Sequence, residues 1–100
     1  MFSQVYYIIR SRSDGSYVAA HPNQNSTNST EKDAGYLLLF NEDFEALSYL
    51  NTHGADVANR FGVESVAGSQ LKNLLNRWGF VGVGIVRDPL LPTVEFFSAN

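Results

Sequence analysis

GYLLLFNEDFEALSYLNTHG, residues 35–54, holds the best strand signal in the chain and one of its two best helix signals. Five consecutive apolar residues, 36–40, run straight into Asn41, a residue type that caps helix N-termini. Glu42 and Asp43 follow where acidic side chains meet the positive end of a helix dipole. Phe44, Leu47 and Leu50 predict an apolar stripe, and His53 with Gly54 a C-terminal stop. This is a strand-to-helix unit. The strand has no polar face, since Tyr36, Leu38 and Phe40 alternate with Leu37 and Leu39.

Working outward, residues 5–10 and 16–20 predict two strands of a hairpin, with Ser13, Asp14 and Gly15 as turn residues. Residues 22–33 are polar throughout and predict a mobile surface loop. The glycosylation sequons at Asn25 and Asn28 in that loop are read as chance products of its Asn/Ser/Thr content. Past the central unit, residues 61–66 form a short strand. Ser69 is the expected cap of a helix over 70–78, in which Leu71, Leu74, Leu75 and Trp78 share a face and Gly79 terminates it. Residues 80–86 follow as a strand with Val81, Val83 and Ile85 on one face and Gly82 and Gly84 on the other; residues 92–97 make a last strand that starts at a proline.

These elements predict one α+β domain over residues 1–100, two helices packed on one face of a mixed sheet of five or six strands. The size supports a single core. With 44% hydrophobic and 13% aromatic residues the chain lies outside the disordered range. A net charge of −3 and seven scattered Lys and Arg argue against nucleic acid or an anionic membrane as partner. There is no cysteine, hence no disulfide, thiol nucleophile or thiolate-bound metal. The apolar run at residues 5–9 is too short for a signal-peptide core or a membrane span, so a soluble cytoplasmic protein is expected.

The segments LLLFNEDFEAL, YLNTHG, GSQLKNLLNRWG and GVGIVRDP, in that order, resemble the N-terminal domain of SseB-type (enhanced serine sensitivity) proteins. The likeness runs from about residue 36 to 89, with residues 41–46 and 82–89 at the family's two short motifs. Asn41 replaces the family's usual hydroxyl cap, and Asp88 stands where it commonly has Asn. The resemblance implies the α+β fold and a bacterial cytoplasmic setting; it implies no catalytic residue.

Chemistry-bearing residues are few. His21 and His53 are the side chains that titrate near neutrality, with His53 placed for a helix C-terminus and His21 for a turn. Neither belongs to a metal-ligand spacing, and no metal or other cofactor is expected. Gly79, Gly82 and Gly84 follow a helix instead of preceding one, which is the wrong order for a phosphate loop. The first functional reading is a non-enzymatic protein-interaction module. Its uncovered sheet face, with Tyr6, Ile8, Leu37, Leu39, Gly82 and Gly84, would bind a second copy or a protein partner. The alternative is a small enzyme or ligand binder with a pocket built from a histidine, Arg87 and Asp88 at a strand end.

Overall fold

The computed structural model describes residues 4–21, 35–91 and 93–98; the expected loop at 22–33 lies outside them. The elements are β1 (Val5–Ser11), β2 (Ala19–Ala20), β3 (Tyr36–Leu39), α1 (Asp43–His53), β4 (Phe61–Ala67), α2 (Leu71–Trp78), β5 (Gly82–Asp88) and β6 (Thr93–Ser98). Short 3-10 segments, Ala55–Arg60 and Gly68–Gln70, precede β4 and α2. No helix among the described residues is long and apolar enough to cross a membrane.

The strands form a two-stranded sheet, β1 with β4, and a four-stranded sheet in the order β2-β3-β5-β6. One antiparallel rung joins β1 directly to the residue that follows β3. Tyr7 and Phe40 exchange both backbone hydrogen bonds, each 2.9 Å. Beyond that rung β1 and β3 diverge, and the segment before β2 enters the fork: Ser11 N–H donates to Ser16 O, Val18 N–H to Ile9 O, and Leu38 N–H to Val18 O. Val18 is therefore bonded to both strands, which leaves β2 only two residues long.

The mixed α+β architecture is as expected, but the two α-helices divide between the faces. α2 contributes Leu75, with Leu71 and Leu74 beside it, to a cluster containing Ile8, Leu37 and Leu39. α1 contributes Ala46 and Leu50 to a second cluster containing Ile9, Leu38 and Phe40. Successive residues of a strand point to opposite faces, so these clusters lie on the two sides of β3. The cause is topological. β3, β4 and β5 run parallel, because β3 and β4 are both antiparallel to β1 and β5 is parallel to β3. From β3 the chain crosses to β4 on the far side of β1, then returns past β3 to β5. Right-handed crossovers in opposite directions place their helices on opposite faces. Over β1 and β3 the expected bare face of the sheet is thus covered by the chain itself.

Local details also differ from expectation. Glu42, not Asn41, is the N-cap of α1 and makes no side-chain cap bond. In α1 the buried residues are Ala46 and Leu50, while Phe44 and Leu47 stay 64% and 48% exposed. A three-residue spacing drifts by about 60° per step at 3.6 residues per turn, so Phe44 and Leu50 point about 120° apart. α2 ends as expected at Gly79, with φ +76°, and Phe80 N–H donates to Leu75 O at 3.0 Å. Ser69 falls in the 3-10 turn and makes no cap bond.

Gly82 and Gly84 are occupied by the chain's own backbone and side chains, not held open for a partner. A Cβ at Gly82 would overlap the Phe97 carbonyl oxygen, and one at Gly84 would lie 3.0 Å from Val94 Cγ1 and 3.2 Å from Leu38 Cδ2 and Phe96 Cε1. The absence of a side chain at Gly84 lets the Phe96 ring lean across β5 to Tyr36, at 5.0 Å between centroids.

These contacts fix the order of mutational effects. Leu50→Ala should cost about 2–5 kcal/mol in urea unfolding, as loss of a buried leucine does, whereas Phe44→Ala should stay within about 0.5 kcal/mol. Gly82→Ala should cost more than Gly84→Ala, because a backbone carbonyl must move in the first case and side chains in the second. Equal losses at positions 44 and 50 would mean that α1 is rotated from the orientation described.

Candidate functional site

The residues expected at an interface are mostly core. Leu37 is 0% exposed, and Ile8, Leu39, Gly82 and Gly84 are buried with it. Tyr6 is half-buried against the α2-side cluster, its hydroxyl donating to Gln4 Oε1 at 3.2 Å. None of these offers the free surface that the expected face-to-face association needs.

The alternative set comes together only in part. His53 Nε2 lies 2.9 Å from Pro89 O, which ties the end of α1 to the β5–β6 turn instead of capping its own helix. The His53 ring also stacks against Tyr49 at 4.8 Å. Burial pushes the Tyr49 phenol up from its ordinary value. Arg87 is engaged by Glu95, Nε at 2.8 Å and Nη2 at 2.6 Å from the same Oε1. Asp88 Oδ1 accepts the Leu90 N–H at 3.0 Å and so holds the turn. His21 is at the other end of β5, over Gly35, whose carbonyl accepts the Val81 N–H. Seven residues of strand separate Val81 from Asp88, roughly 23 Å. Each polar group at the Arg87–Asp88 corner thus has a structural partner, and His21 cannot reach it. Among the described residues no three His, Asp or Glu converge as metal ligands.

A polar concavity among the described residues lies elsewhere, at the turn after β1. A cleft of about 530 Å³ is lined by Arg10, Ser11, Arg12, Gly15, Gly62 and Glu64, with Val63 at its side. Arg10 is fixed by three contacts: Nε donates to Gly15 O at 2.9 Å, Nη1 stands 3.6 Å from Glu64 Oε1, and the guanidinium lies 5.0 Å from the Tyr17 ring centre. Tyr17 is itself met edge-on by Trp78 at 5.3 Å, linking the cleft to α2. Arg12 Nε donates to Phe61 O at 3.1 Å, and its guanidinium lies over Gly62. The turn is shaped by Gly15, with φ +76°, whose N–H donates to Ser11 O. Ser16 N–H and hydroxyl both donate to Asp14 Oδ1, at 3.0 and 2.8 Å.

Scattered in the sequence, two of the basic residues meet at this cleft, which is not among the sites expected from the sequence. Arg10 and Arg12 are two apart, so in a strand continuing into its turn they leave the same face, and that much was visible in the sequence. Gly62 as the cross-strand partner of Arg10 follows only from the β1–β4 register. No family model, curated protein or solved structure matches this chain.

The Ser16 backbone N–H, then its hydroxyl, hold the Asp14 carboxyl below its ordinary 3.8. A carboxyl lowered on folding stabilises the turn above its unfolded pKa, and that contribution fades as pH falls through the lowered value. Carbonyl-detected NMR titration should therefore place Asp14 below the ordinary aspartate value. Ser16→Ala should raise it only part of the way, because the backbone donor remains; no rise at all would contradict the bonding described.

Proposed function

We propose that this chain is a non-enzymatic interaction module that self-associates weakly, pairing the outer edge of β6 with the β6 of a second copy. The observation that carries this reading is the character of β6. Among the described residues it pairs with β5 alone, five of its six residues are exposed, and Phe96 and Phe97 are 42% and 46% exposed on opposite faces. An edge of this kind offers unpaired backbone donors and acceptors to another strand, and nothing within β6 blocks it, neither lysine nor proline. Its one charge, Glu95, is neutralised by Arg87, so two copies can approach without bringing unpaired carboxylates together. A two-fold antiparallel pairing would continue the sheet across both molecules and set the phenylalanines of one copy against those of the other.

The face-to-face dimer expected from the sequence is replaced here by an edge-to-edge one, since the helices cover both faces over β1 and β3 and leave β6 open. A six-residue edge is small beside the roughly 1,200–2,000 Å² of a stable interface, which makes the dimer weak and exchanging. The resemblance to SseB-type proteins belongs to this reading and brings with it a bacterial cytoplasmic setting.

Sedimentation velocity from micromolar to millimolar concentration tests the proposal. The native chain should move from monomer toward dimer across that range, and Phe97→Lys should remain monomeric with its unfolding midpoint within the range of surface substitutions, about 0.5 kcal/mol. A native chain that is monomeric at millimolar concentration, or a Phe97→Lys variant that dimerises equally, would overturn it.

A further inference from the structure

We infer that the cleft between the turn after β1 and strand β4 binds an oxyanion, the phosphate or carboxylate group of a small ligand. This proposal is independent of association through β6. Ten acidic residues outnumber seven basic ones in the chain, yet two arginines and one glutamate line this cleft. The positive excess is local.

The two guanidinium groups are held differently, and the difference defines the site. Arg10 is spent on its surroundings: the Gly15 carbonyl, Glu64 and the Tyr17 ring all hold it. Arg12 is anchored through Nε alone, at the Phe61 carbonyl, and its Nη groups have no partner among the described residues. A guanidinium held by one edge presents its remaining N–H donors in a fixed fork, the geometry that suits carboxylate and phosphate. Gly62 has no side chain to occupy the space beneath it, and Arg12 Nη2 is 3.4 Å from where a Cβ would stand. Asp14 keeps its charge but is not among the lining residues, where Glu64 is the acidic group. An arriving anion takes the Arg12 fork, with the Arg10 guanidinium, held in place, adding its charge to the cleft.

The test is a titration of the ¹⁵N-labelled full chain with sodium phosphate and, separately, sodium acetate, at fixed pH and at ionic strength held constant with sodium chloride. The Arg12 Nε–Hε signal and the Gly15 and Gly62 amides are followed. Saturable shifts at these positions are expected, with Arg12→Gln weakening binding by about tenfold, as loss of a charge-assisted fork does. Glu64→Gln should tighten it by about twofold or more, because a competing surface carboxylate is removed. Saturation by phosphate alone assigns a phosphorylated ligand, and saturation by acetate a carboxylate one. Shifts that do not saturate, that sodium chloride reproduces, or that Glu64→Gln weakens would overturn the proposal.

Discussion

The paired hydrogen bonds between Tyr7 and Phe40, each 2.9 Å, join the β1–β4 ribbon to the sheet built on β3, and much of the architecture follows from that rung. β3 is an interior strand, between β2 and β5, and the rung sets β1 beside its C-terminal end. An interior strand with helices above and below has no wet face, and residues 36–40 carry the corresponding sequence, apolar on both sides. The same rung puts β1 between β4 and β3. Because β4 lies beyond β1, the chain must cross outward and then return, and the return sends α2 to the face opposite α1.

Much of this was legible in the sequence, and what was hidden had a common origin. Strands at β1, β3, β4, β5 and β6, and the Gly79 stop of α2, announce themselves through local composition. Which face each helix covers does not, since it depends on strand order, a property of distant pairings. The assumption of one covered face then turned Leu37 and Leu39 into interface candidates, although they are core. The α1 stripe failed for a smaller reason. Ala46, which faces the sheet, carries little hydrophobic signal, while Phe44 and Leu47 carry a strong one and face outward. β2 was foreseen as a strand of five residues, but a chain that bends at Val18 to serve two partners keeps only two residues in regular pairing.

The candidate sites follow the same division. Residues chosen for chemistry type, His53, Arg87 and Asp88, turn out to close the structure: the histidine meets the Pro89 carbonyl, the aspartate holds a turn, and the arginine neutralises Glu95. The surfaces left over are an edge, β6, and a small basic cleft. Each has a strand glycine beside it. Gly84 accommodates the Phe96 ring, and Gly62 accommodates the Arg12 guanidinium. A glycine in a strand marks a close approach, but the sequence alone does not say what approaches.

Native-state hydrogen exchange at the Tyr7 and Phe40 amides tests the central claim most directly, because those two bonds are the direct link between β1 and the end of β3. Both amides should open only with global unfolding, at the same free energy as the slowest amides of β3 and β5. If instead they exchanged through a local opening while β3 and β5 stayed protected, the ribbon of β1 and β4 would be a separate unit, and the account of a single two-faced sheet would be contradicted.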